Sequence, residues 1–526
     1  MTNGPKFSIA VMAVLTGCGA ALASQPASNA ANVPGDYSQR LVADAIAKTQ
    51  RMNGHLNAII AVEPSAMEDA RAADQTGWKG PLHGQPILIK DNIEVAGPLP
   101  TTAGSLALAA NVTNRDAPLI TRLRSSGAII FGKANLSEWA NIRSSNSISG
   151  WSAVGGQTRN PYALDRNTCG SSSGSGAAVA AGIVQYAIGT ETDGSITCPA
   201  AINGIVGLKP TVGLVSRSRI VPISASQDTA GPMTVTVTEA ADLLTAIAGA
   251  DPADPATTEA DKRKADYGRL LRKDELKGKR IGVMRFASGF GTDDAFTAAL
   301  ALMKRQSAIL VEIKKFDDKA IGDNEFQVLL TEFKAGLNDY LKSTPSSVTT
   351  RTLADVIAFN KAHRLEEMSL FGQDIFEKAQ ATKGLTDPAY LKARKTSFNA
   401  AGPNGIDRLL KQYNVVALVG PTMPPAWKID AVNGDQISGG GAGSLAAVSG
   451  YPHLTVPMGQ VKGLPVGLSF IGPKWSEALL LSLGYSYEQA RGLAPGPRFL
   501  RSIEDAPEIA PHLQPYPPAM VGRGRE

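Results

Sequence analysis

Apolar positions along this chain recur with two alternating periods, and the alternation predicts an α/β fold. Over 37–52 the residues Leu41, Val42, Ala45 and Ile46 form one stripe at helical spacing. A short strand is expected at 58–62, then a helix over about 64–75, whose Pro64 suits a first turn. The run Ile87-Leu88-Ile89 marks a buried strand over Pro86–Lys90. A helix at 117–125 stops before Gly127, and a strand at 128–132 succeeds it. Such alternation lays helices on both faces of a sheet.

Further along, 176–188 (GAAVAAGIVQYAI) is small and apolar and predicts a helix buried on all sides. Gln185 interrupts it before the roughly 18 apolar residues of a membrane span accumulate. The charged stretch 251–266 loses its periodicity and reads as a surface excursion. A strand at 280–285, a helix at Asp293–Arg305 and a strand at Ile309–Ile313 restart the pattern. Over 326–400 the chain is helical and polar, broken at 383–388. It reads as an inserted helical cap beside the site or as a solvated helical bulge. Strands at 415–419 and 453–457 and a helix at 477–489 follow, and proline-bearing 504–526 is expected as a surface tail. No internal repeat is evident.

The composition, 43% apolar and 19% charged in 526 residues, provides for a large core. The 52 basic and 47 acidic residues, net +5, are spread without long single-sign runs, so no clustered basic face points to nucleic acid. Five scattered histidines and no C-x-x-C pair leave no ligand cluster for zinc, and no metal site is expected. Lys6 followed by the short apolar run 7–15 predicts an export signal over 1–23, with a linker at 24–35. Two processing sites compete: Leu15-Thr16-Gly17-Cys18, which would lipidate Cys18, and Ala21-Leu22-Ala23, which would cut before Ser24. The expectation is an exported protein, periplasmic or tethered to the envelope by a lipid at Cys18. Cys169 and Cys198 would then remain, expected as small buried thiols, with a disulfide as the alternative in an oxidising compartment.

Chemistry concentrates in PILIKDN (86–92), CGSSSGSG (169–176) and GTETDGSITCPA (189–200), which carry Lys90, Ser171 and Ser195. A serine hydroxyl becomes nucleophilic beside a base, and lysine can serve. At an ordinary pKa of about 10.4 lysine is protonated, but burial among apolar residues favours the neutral amine. The alternative is an ion pair between Lys90 and Asp91. Ser172 and Ser173 compete with Ser171, and G-x-S-x-G at 170–174 would nominate Ser172 as an α/β-hydrolase nucleophile. That elbow must follow a strand, whereas 160–168 is polar and contains proline; His363, His453 and His512 lie in no recognisable context.

These three segments resemble the amidase signature family. So do Gly204-Ile205-Val206-Gly207-Leu208-Lys209-Pro210-Thr211 and Asp228-Thr229-Ala230-Gly231-Pro232-Met233. The likeness runs from about Tyr37 onward. It implies an amidase domain over 36–503, built on a large mixed central β-sheet with helices on both faces and a helical insertion. Ser195 would be the nucleophile, Ser171, after a cis peptide bond, the bridge, and Lys90 the base. The amides of Thr192, Asp193, Gly194 and Ser195 would form the oxyanion hole. Gly170, Ser172 and Asp228 would support the loops, and Asn141, Asn146 and Trp151 would shape the acyl pocket. Cys169, Asp193 and Thr197 depart from the family pattern.

NLSEWAN (135–141), 147–162 and CPAAINGIVG (198–207) are most similar to the bacterial peptide amidases of the family. They imply hydrolysis of peptide C-terminal amides with release of ammonia, by a monomer needing no cofactor. Aryl, aliphatic or fatty-acid amides are the alternative substrates. A subunit that amidates transfer-RNA-bound glutamate with partners is the alternative role.

Overall fold

The computed structural model describes residues 35–492 and 494–514. The expected signal segment, the Cys18 anchor, nearly all of the linker and the end of the tail lie outside the described residues. The strands are β1 (Ile59–Val62), β2 (Pro86–Lys90), β3 (Ile129–Ala134), the hairpin β4 (Trp151–Ser152) and β5 (Gly156–Gln157), β6 (Tyr186–Glu191), β7 (Val206–Lys209) and β8 (Thr229–Thr234). They continue with β9 (Arg280–Met284), β10 (Ile309–Ile313), β11 (Ala417–Pro421), β12 (His453–Val461) and β13 (Leu464–Ile471). All but β4 and β5 join one 11-stranded sheet in the order β1-β3-β2-β6-β8-β7-β12-β13-β11-β9-β10. Strands β3, β2 and β6 run parallel, as do β11, β9 and β10, while the middle pairs are antiparallel. The expected large mixed sheet is therefore present, with helices on both faces.

Period-two alternation along β2 aims the site. Ile87 and Ile89 pack with Leu119, Ile120 and Leu123 of the helix Pro118–Ser125. Leu88 faces the other way, against Ala177 and Ala178 of the helix Ser173–Ala180. Lys90 keeps the parity of Leu88 and so emerges toward the segment that opens this second helix.

Two expectations need correction. The helix expected over 176–188 ends at Ala180, because Gly182 turns the chain at φ +69° and Tyr186–Glu191 enters the sheet as β6. The strand at 453–457 extends to Val461 and turns through Lys462 and Gly463, both at positive φ, into β13. At the start of the expected surface tail, Glu504 pairs with Arg166 at 2.9 Å and Lys428 at 3.1 Å.

The helical stretch begins at Gly322 with a helix to Lys342. Its Phe333, Leu337 and Leu341 share an apolar cluster with Ala103, Trp139, Val221 and Ile223. It is thus packed onto the sheet domain at the catalytic end. Among the described residues, no helix is long and apolar enough to cross a membrane.

Candidate active site

Lys90 is wholly buried at the end of β2. Its Nζ lies 2.7 Å from Ser171 Oγ, 2.8 Å from Thr190 Oγ1 and 3.2 Å from Thr190 O. Asp91, its sequence neighbour, pairs instead with Lys133 at 3.5 Å, so no carboxylate of the described residues lies within 4 Å of Lys90. Burial lowers the Lys90 pKa well below the usual lysine range, against the pull of Glu191 and Asp228. A neutral amine donates twice and accepts once. In that state the carbonyl and hydroxyl of Thr190 would take the donors and the lone pair would be left to face Ser171 Oγ. Asn92 Nδ2 also donates to Thr190 Oγ1, at 3.0 Å, and holds that hydroxyl in place.

Ser171 follows a cis peptide bond after Gly170 and is fully buried. Gly170 is required for space, since a Cβ there would strike Ser137 Oγ. The amide of Ser172 donates to Ser195 O at 3.1 Å, which sets the two serine segments side by side. Ser172 Oγ is itself tied to β6, donating to Thr190 O at 3.1 Å and accepting from Thr190 N at 3.2 Å. It supports the loop, and no strand precedes it as a nucleophile elbow needs.

Ser195 sits in the turn between β6 and the helix Thr197–Ile202. Glu191 shapes that turn: its carboxylate accepts from Ile196 N at 2.7 Å, Thr197 N at 2.8 Å and Thr197 Oγ1 at 3.2 Å. Among the described residues, the amides of Thr192, Asp193, Gly194 and Ser195 have no acceptor, which leaves them free for an anion. Asp228 steadies this loop by accepting from Thr192 Oγ1 at 2.6 Å, Ile223 N at 2.8 Å and Ser224 N at 2.9 Å. Burial raises its pKa to about 6 despite those bonds.

A cavity of about 370 Å³ opens over Ser195, lined by Asn141, Gly170, Thr192, Asp193, Leu329 and Ser444 among others. Of the expected pocket residues only Asn141 lines it, with its Nδ2 donating to Ser149 Oγ at 3.1 Å. Asn146 is exposed outside the cavity. Trp151 belongs to the core, edge-on to Phe371 at 5.1 Å and under the Arg143 guanidinium. The sequence reading missed Thr190, Asn92, Ser137 and Glu191, although Thr190 and Glu191 lie inside the matched GTET segment. It also missed Leu329, which the helical insertion brings to the cavity, and Glu325, which lies beside Asp193, and for neither does a local signal exist. The insertion thus touches the site.

Cys169 and Cys198 are disulfide-bonded, which overturns the expectation of free thiols. The bond joins the segment before Ser171 to the helix after Ser195. Sequence separation alone did not reveal that the folded loops bring these two cysteines together. His453 is buried against Ser469 Oγ at 2.6 Å, and burial lowers its pKa to about 3, so it stays neutral. Ser171 and Ser195 have no histidine partner among the described residues.

The Amidase family model matches residues 40–481, and the chain belongs to the amidase (amidase signature) family, so it is an amide-hydrolysing enzyme. It is 38% identical over 478 residues to a probable amidase of Arabidopsis thaliana, covering 88% of each chain. The X-ray structure of native peptide amidase from Stenotrophomonas maltophilia matches it with a TM-score of 0.83 at 49% identity, over 88% of this chain and 95% of that one. It is also 33% identical over 467 residues to a subunit of glutamyl-tRNA(Gln) amidotransferase from Exiguobacterium sibiricum, covering 86% of this chain and 94% of the relative.

Proposed function

We propose that this enzyme hydrolyses the C-terminal amides of peptides through a Ser-Ser-Lys relay. The observation that carries the relay is the 2.7 Å approach of a buried, carboxylate-free Lys90 Nζ to Ser171 Oγ. As Ser195 Oγ attacks the carboxamide carbon, its proton passes to Ser171, whose own proton passes to neutral Lys90. The carbonyl oxygen becomes an anion held by the free amides of 192–195. On collapse the C–N bond breaks, the proton returns through Ser171 to the nitrogen, and ammonia leaves. Water then enters along the same relay and frees the acid from the Ser195 ester. Losing one oxyanion donor typically costs about 2.7–4 kcal/mol, so the Glu191 and Asp228 bonds that shape the loop carry part of the catalysis.

The peptide substrate is supported by the 49% identity to the Stenotrophomonas maltophilia peptide amidase. The test is ammonia release from a panel of amidated peptides, aryl amides and fatty-acid amides. The reading expects the peptides to give the highest kcat/KM, and preference for either other class would overturn it. A disulfide beside the site supports the further reading that the protein is exported, which fractionation of the producing cell checks.

A further inference from the structure

Asp193 stands where the resembled family carries glycine, and it is the one residue lining the Ser195 cavity, among those described, whose side chain can be charged. Ser444 Oγ donates to its Oδ2 at 3.2 Å. On the other side it shares a hydrogen bond with Glu325 of the insertion, which also accepts from Gln227 Nε2 at 2.8 Å. Two carboxyl groups in hydrogen-bond contact hold one proton between them. Burial and the Asp193 charge raise Glu325 to about 9, while burial and the Glu191 charge raise Asp193 to about 6, so at neutral pH Glu325 is the donor and Asp193 the anion. Behind it, Glu191 on β6 and Lys209 on β7 act on Asp193 with opposite signs, Glu191 the more strongly. The cavity presents one negative charge and no positive one.

We propose that Asp193 is a specificity-determining residue that favours peptide amides carrying positive charge on the amidated residue and rejects those carrying negative charge there. The inference rests on the peptide-amide reading. A substrate carboxylate beside Asp193 would meet a like charge, whereas a cation would meet an opposite one and replace part of its lost hydration with that carboxylate. The short link from Asp193 through Gly194 to the nucleophile keeps this choice close to the scissile carbonyl.

The experiment measures kcat/KM for the N-acetyl amides of lysine, glutamine and glutamate, which differ chiefly in charge. At neutral pH the wild type should rank lysine over glutamine over glutamate, with about tenfold or more between the extremes. Asp193→Asn should compress the series to within about threefold, because the charge is gone and the shape is kept. Glu325→Gln keeps an N–H donor toward Asp193 and leaves its charge, so the ranking should survive. A flat wild-type series, or an Asp193→Asn series as steep as wild type, overturns the proposal.

Should Asp193→Asn fail to fold, the wild-type lysine-to-glutamate ratio decides. It should rise as pH increases through about 6, where Asp193 ionises, and a ratio unchanged across that window overturns the proposal. If no peptide amide releases ammonia at all, the peptide-amide reading itself fails, a result distinct from a flat series.

Discussion

Lys90 and Lys133 lie at the ends of neighbouring strands, β2 and β3, both buried, and their surroundings differ in one respect. Lys133 keeps a carboxylate: Asp91 is 3.5 Å away, and Nζ also donates to Ile93 O and Thr101 Oγ1, each at 2.7 Å. Lys90 has two hydroxyls and a carbonyl instead. Burial lowers both pKa values, but for Lys133 the adjacent Asp91 is the chief opposing influence, whereas Lys90 falls further. On the proposed reading, the same residue type on the same sheet is a structural clip where an acid accompanies it and a base where none does. Burying an ion pair is tolerable, while a lone buried charge is neutralised by shedding its proton.

Removing each amine separates the two roles. Lys90→Met should lower kcat by about 10³-fold, within the usual contribution of a positioned base, while the thermal unfolding midpoint barely moves. A variant that keeps its turnover would break the comparison. Asp228→Ala takes away the acceptor of Thr192 Oγ1 and two amides, loosening the loop that holds Ser195. About a 10²-fold loss in kcat with a smaller change in KM is expected, since the transition state depends on those amides most. Lys133→Met sharpens the contrast from the other side. It leaves Asp91 buried without its partner and should cost about 3–5 kcal/mol in denaturant unfolding, as breaking a buried pair does. Its turnover per folded molecule should stay close to that of wild type, because the amine does no chemistry. Asp91→Asn in the same chain should recover part of the stability.

Much of the framework was legible because its signal is local. β2 and β10 and the helix Asp293–Arg305 fall on the expected residues, each announced by a periodic apolar run with clear ends. β7 (VGLK) and β8 (TAGPMT) carry glycine or proline, and their strand character comes from antiparallel pairing with distant neighbours. The β12–β13 hairpin did have a sign, the Lys462-Gly463 pair at positive φ.

At the site, Lys90, Ser171 and Ser195 could be singled out because their segments match a known family. Of the residues that fix their geometry, Gly170, Ser172 and Asp228 could be named the same way, and Glu191 and Glu325 could not. Glu191 acts by folding back onto amides beyond the nucleophile, and Glu325 arrives from the insertion. Trp151 was misplaced because an aromatic near a motif fills core as readily as pocket.

The central claim is that the buried amine of Lys90 is uncharged at working pH and receives the Ser171 proton. It is tested most directly by the pH dependence of kcat/KM for ammonia release. A base must be deprotonated to act, so activity falls as pH drops through the pKa of Lys90 and is level above it. Because burial lowers that pKa well below the ordinary range, the plateau should be reached well to the acid side of about 10.4. A rate that climbs tenfold per unit all the way to about 10.4 would mean an ordinary, charged lysine and would contradict the account.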